Sequence, residues 1–400
     1  MSFILICLLS IFSLNAQTNS EFNFYFGIPT KTAGIGFGNS PKFSGIRINF
    51  ADKHVSEING INITFWKQKE NTEAVVNGIS VGILPTAGIM RSLNVGAVGL
   101  VAHDNLSGIN IAGLGLGAGR NLNGISIAGF GLGSGNQMNG LAVSGLGLGS
   151  GADMNGLFLG GLGVGSGADI NGMVIGGFGV GAGNNLDGIS IAGLGLGAGN
   201  DIRGIAIGGL GVGAGRDIRG IAIAGVGIGG GRDIKGIFIG GFGVGAGGTI
   251  RGITISGIGI GAGEDVRGLS FSGIGIGAGE NLSGIQIAGI GLGAGNQVKG
   301  ISIAGIGIRA KEEIKGVQIT TAFIRSDNRI NGISIVPGYL KAEKYRGIAI
   351  AGYANTSEMT GLSIDLINST EKLKGVQIGL LNYAGNNKKG SRLWPIFNIH

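Results

Sequence analysis

Asn121-Leu122-Asn123-Gly124-Ile125-Ser126-Ile127-Ala128-Gly129-Phe130-Gly131-Leu132-Gly133-Ser134-Gly135-Asn136 is one copy of a 16-residue unit written over and over between residues 105 and 338. Its anchoring glycine returns at 108, 124, 140 and every sixteenth residue to 332 without a slip. A fixed period of about this size marks a repeat architecture, and it governs what any shorter motif inside it can mean.

Each copy holds five apolar places, in this one Leu122, Ile125, Ile127, Phe130 and Leu132, separated by steps of 3, 2, 3, 2 and then 6 to the next copy. Steps of two belong to strands, and nothing returns at 3.6. The unit therefore reads as two short strands. The step of three from Ile127 to Phe130 needs a corner, and Ala128-Gly129 supplies one, because glycine accepts positive φ cheaply. With that corner all five apolar side chains are expected to point inward, so that Ile221→Asp or Ile223→Asp would bury a charge. The fold class is then all-β, a β-solenoid (β-helix-like) of about 16-residue coils with irregular N- and C-terminal caps. One coil cannot stand alone: five buried aliphatics yield roughly 7 to 15 kcal/mol, against roughly 16 to 32 kcal/mol for ordering 16 backbone residues. Stacking has to supply the rest.

The whole chain agrees with an ordered array. Its 400 residues include 90 Gly, 5 Pro and one Cys, yet glycine does not fall on every third place as in collagen, and the aliphatics are too regular for a disordered tract. Residues 1–16 read as a signal peptide, an apolar run from Phe3 to Phe12 ending in Ser13-Leu14-Asn15-Ala16, too short to span a bilayer. Cys7 lies within it, which leaves the exported chain no thiol. Residues 17–104 hold looser versions of the same core, such as Gly45-Ile46-Arg47-Ile48 and Gly60-Ile61-Asn62-Ile63, and read as an N-terminal cap. Residues 105–338 are the regular repeats. Residues 339–400 carry anchors at Gly347, Gly361 and Gly375, spaced 15, 14 and 14, and end in a basic then aromatic closing segment.

That closing segment, Gly375-Val376-Gln377-Ile378-Gly379-Leu380-Leu381-Asn382 with Trp394-Pro395-Ile396-Phe397-Asn398, resembles the end of bacterial surface repeat-containing proteins built on Gly-x-Gln-Ile-Gly-Leu repeats. The resemblance implies export and a cell-surface or outer-membrane setting. It brings no activity and no functional residues.

Little chemistry is written in the chain. Gly-x-Gly-x-x-Gly matches are many, as at Gly113 and Gly115, but none opens a helix as a dinucleotide loop must. His54, His103 and His400 are isolated, and no serine or carboxylate constellation recurs. No enzyme activity, cofactor or metal is expected. The nearest metal signal is Gly-x-Gly-x-Asp-Ile, as at Gly213 to Ile218, which approaches a calcium-roll pattern; the aliphatic follows Asp directly, and other copies place Asn121, Gln137 or Thr249 there, so turn-stabilising side chains are expected instead.

Stacked coils would turn repeated polar places into columns. Asn123, Asn139, Asn155 and Asn171 would form an asparagine ladder. From Arg203 the same place reads Arg203, Arg219, Lys235, Arg251 and Arg267, each two residues after Asp201, Asp217, Asp233, Thr249 and Asp265. This column reads either as a charge ladder offset by its acidic neighbours or, with a net charge of +7, as a stripe for anionic surface glycan or lipid headgroups. Nucleic acid is not expected, because no aromatics interleave with the stripe. The rival architecture is an antiparallel outer-membrane β-barrel, a pore of unknown cargo with one spanning strand per copy. The reading that results is a non-enzymatic exported scaffold, structural or adhesive, with membrane association open.

Overall fold

The computed structural model describes residues 24–69 and 72–400; the expected signal peptide and Cys7 lie outside them. The chain divides into two compact units, 1–113 and 114–400.

Whereas Arg329–Ala384 runs as one unbroken strand through the last coils, each regular coil of the larger unit is a long strand followed by a short one, for example Met138–Ser144 and Gly147–Ser150. Each pairs in parallel with its equivalent 16 residues on, Gly140 opposite Gly156 and Gly147 opposite Gly163. Like residue therefore stacks on like residue, and the fold is the β-solenoid. The barrel alternative is wrong, because neighbouring copies of a barrel meander would run antiparallel, whereas these are translated and run parallel.

The inside of the coil is not what the apolar pattern suggests. Leu122 and Leu132 are buried, but Ile125, Ile127 and Phe130 face outward with 43, 42 and 56% of their surface exposed, and Ser126 and Ala128 take the inner places. Two physical reasons account for this correction. Side chains alternate from Leu122 through Gly124 to Ala128 without a change of phase, so Ile125 and Ile127, an odd number of places from Leu122, must point out, and the bend at Gly129 and Phe130 leaves Phe130 on the outer corner. The interior is also narrow: a Cβ on Gly160 would lie 2.5 Å from the Gly163 carbonyl oxygen and 2.8 Å from Val164 Cγ2. Five branched aliphatics per coil do not fit there.

Glycine does two different jobs in this array. At the anchor, Gly220 has φ 125°, and a Cβ on it would sit 2.1 Å from the carbonyl oxygen of Gly204. On the short strand, a Cβ on Gly213 would meet nothing within 4 Å. The anchors continue to stack where the spacing shortens, since a Cβ on Gly361 or Gly375 would strike the oxygen of Gly347 or Gly361 at 2.2 and 2.1 Å. The strand Leu393–Ile399 then pairs antiparallel with the last coil, Val376 opposite Ile399.

In the smaller unit a hairpin, Tyr25–Thr30 with Ala33–Gly38, begins the stack. Lys42–Lys53, Glu57–Lys69, Val75–Gly82, Thr86–Gly96 and Gly99–Ala112 follow in parallel. Ser92 stands opposite Gly78 in the anchor column at φ 80°. The wholly buried Arg47 lies within 2.9 Å of Asp52 and donates to Asn62 and to the Gly38 carbonyl; an unpaired charge there would be costly.

Gly220→Ala is expected to cost about 3 kcal/mol through strain and collision, whereas Gly213→Ala should stabilise by about 0.5–1 kcal/mol. Ala222→Asp, on the inner face, should open the stack locally, and Ile221→Asp, on the outer face, should not. Thermal unfolding with hydrogen exchange along the repeat checks both pairs.

Candidate functional site

The basic column exists as an aligned file. Arg203 lies opposite Arg219, Arg219 opposite Lys235, Lys235 opposite Arg251, and Arg251 opposite Arg267. In-register parallel strands put these side chains about 4.8 Å apart. The long strand turns them outward just before the anchor.

Beneath them Asp201, Asp217 and Asp265 are buried and fully used, whereas Asp233 is exposed. Asp201 accepts from Arg203 at 2.7 Å and Arg216 at 3.2 Å. Asp217 accepts from Arg219 at 3.0 Å and from both Nε and Nη2 of Arg232 at 2.9 and 2.7 Å. Asp265 accepts from Arg267 at 2.5 Å. The other oxygen of several of these carboxylates caps the coil that follows: Asp201 takes the Asp217 N–H, Asp217 that of Asp233, and Asp233 that of Thr249, at 3.3, 3.2 and 2.9 Å. These are the expected turn-stabilising side chains, carried out between coils rather than within one. The asparagine ladder also forms, with Asn139, Asn155 and Asn171 each donating to the preceding asparagine at 2.9 Å.

Arg216 and Arg232 widen the file and were not singled out from the sequence. They sit four residues before an anchor, a place that reads as a turn; the signal was Asp with a basic residue on both sides. Lys235 and Arg251 have no acidic partner within salt-bridge distance among the described residues. Thr249 interrupts the aspartate column beside them. A cleft of about 280 Å³ opens there, lined by Arg219, Asp233, Lys235, Thr249 and Arg251. Three cations against one carboxylate make it the part of the file best able to accept an anion.

Two other outer surfaces are chemically uniform. One is the pair of aliphatic columns containing Ile125 and Ile127. The other is the short strand: twelve consecutive coils, from Gly115 and Gly117 to Gly291 and Gly293, carry glycine at both outward places. Relative to alanine each such glycine weakens a strand by roughly 0.5–1 kcal/mol, and here the fold does not ask for it. Along one edge runs a ridge at the coil corner, Leu114, Phe130, Leu146, Leu162, Phe178 and onward to Ile306. Its large apolar members are 41 to 57% exposed.

No family model, curated protein or solved structure matches the chain.

Two carboxylates respond to pH in opposite senses. The hydrogen bonds from Arg232 hold Asp217 down at about 2, so its ionised form stabilises the fold above about pH 4, and this is lost as pH falls through 2. Burial among the C-terminal coils pushes Asp365 up to about 6, against the bonds it accepts from Ser363 Oγ and the Ala351 N–H. Ionising it costs stability above pH 6, and protonation restores that stability as pH falls below 6. Asp365→Asn should therefore raise the unfolding temperature at pH 7, with the gain shrinking as pH falls from 6 and gone below about pH 4. Asp217→Asn should lower it at pH 7, with the difference shrinking toward pH 2.

Proposed function

We propose that this chain is a non-enzymatic scaffold, exported to the cell surface or outer membrane, that binds by repetition rather than through one shaped pocket. The observation that carries this is the in-register basic file from Arg203 to Arg267, with Lys235 and Arg251 free of acidic partners around the cleft among the described residues. A periodic row of cations matches a linear polyanion better than a single small ion, because successive charges on the polymer meet successive coils. Anionic surface glycan is the ligand class favoured, with lipid headgroups sharing the same chemistry. The flanking arginines are held upright by buried aspartates, which lowers the entropy lost on binding. The export part rests on the N-terminal apolar segment and on the likeness of the closing segment to bacterial surface repeat proteins.

Retention of the protein on an anionic polysaccharide column at low salt tests the binding part. Lys235→Glu with Arg251→Glu should abolish retention while leaving hydrogen exchange of the repeats unchanged, and raising salt should weaken parent binding steeply. Unchanged retention would reduce the file to a solvated charge ladder. Fractionation of cells tests the export part separately.

A further inference from the structure

The glycine strand poses a question that folding does not answer. At each of the twenty-four outward positions between Gly115 and Gly293, an added Cβ would meet either nothing within 4 Å or a backbone oxygen no closer than 3.4 Å. Any small side chain would fit, and twelve coils in a row have none. A surface kept bare where the chain itself leaves room is bare for something outside it.

The molecule shows what such a surface accepts. At Gly307, one coil beyond this file, a Cβ would lie 2.2 to 2.6 Å from ring atoms of Phe323, whose side chain lies across that glycine. The same coil ends the bare surface: Arg309 and then Arg325 replace the second glycine. The apolar ridge stops there too, with Ile306 followed by Ala322. Trough and ridge end together at this coil, and between residues 114 and 306 neither carries a charged residue. An apolar side chain seats on the glycine strand, and of the exposed apolar files that repeat at the matching interval the ridge is the one that ends where the trough ends, the columns of Ile125 and Ile127 continuing through Val317 and Ile319 to Ile333 and Ile335.

We propose that residues 114–306 form a contact between two copies of this chain, in which the ridge of each copy lies in the glycine trough of the other. The arrangement is self-complementary, as a twofold interface requires. Only a partner with the same coil spacing, about 4.8 Å, keeps every ridge residue in step with the trough over twelve coils. A fluid bilayer has no such spacing and gains nothing from bare glycine. A strand four residues wide spans about 13 Å, so twelve coils present about 750 Å², close to the roughly 800 Å² per partner of a stable interface. The net charge of +7 does not oppose this association, because none of it falls on the trough or the ridge between residues 114 and 306. The inference does not depend on anion binding by the basic file.

Sedimentation velocity of the full chain from about 1 to about 100 µM is expected to show a species of twice the single-chain mass. Gly181→Lys, Gly213→Lys and Gly229→Lys together place cations where nothing in the chain obstructs them. They should weaken association about 100-fold or more with unchanged circular dichroism and melting. Lysines at Asn123, Asn139 and Asn155, on the polar side, should leave association intact, as should Arg203→Glu, Arg219→Glu and Arg267→Glu. A parent protein that stays monomeric throughout, or a dimer indifferent to the glycine substitutions, would overturn the proposal. So would a monomer that binds phosphatidylcholine vesicles and loses that binding with the three glycines, which would assign the surface to lipid.

Discussion

The approach of one anchoring glycine to the next is the contact on which the rest of the structure depends. At Gly140 and Gly156 the place a Cβ would occupy lies 2.2 and 1.9 Å from the carbonyl oxygen of the preceding anchor. With positive φ as well, glycine is what lets successive regular coils come close enough to complete their parallel ladders at this point, Ser92 in the smaller unit being an exception. The contact keeps the anchors in one column whatever the length of chain between them: 16 residues through the regular repeats, but 15, 18 and 14 from Gly45 to Ser92 and 15, 14 and 14 after Gly332.

In-register stacking then converts sequence into surface. Each of the 16 places becomes a column, and a column of one residue type becomes a stripe of one chemistry. Buried aspartates bind the coil above through one oxygen and erect an arginine through the other. The same carboxylates thus hold the stack together and position the cationic file. Aliphatics left outside by the narrow interior give the molecule apolar faces, and the short strand gives it a bare one. Such surfaces suit partners that are themselves extended and periodic.

The β-solenoid was legible in the sequence because its cause, strand-length steps repeated at a fixed period, is a local property of the chain. Which side of the strand faces in was not. In Gly-Ile-x-Ile the two isoleucines look like core, but the place between them is the core, filled by Ser126, Ala206, Phe238 or Gln286 in different coils. Hydrophobicity marks the interior only where the exterior is polar, and here much of the exterior is apolar as well. The basic file at Arg203 to Arg267 was readable because its alignment follows from the period alone. Arg216 and Arg232 were not, since their role depends on a corner bringing them back over Asp201 and Asp217. Ser92 hid in the anchor column because nothing in its neighbourhood spells the glycine pattern. The meaning of the short-strand glycines required knowing what a side chain there would touch.

The central claim, parallel in-register stacking of 16-residue coils, is tested most directly by pulsed electron spin resonance between labels on one column. Cysteine pairs at Asn123 with Asn171 and at Asn123 with Arg219, in a Cys7→Ser background, lie three and six coils apart. The account predicts backbone separations of about 14 and about 29 Å, a doubling set by the coil spacing of about 4.8 Å, each broadened by the label linkers. Separations that fail to grow in proportion to the number of repeats between the labels would contradict it.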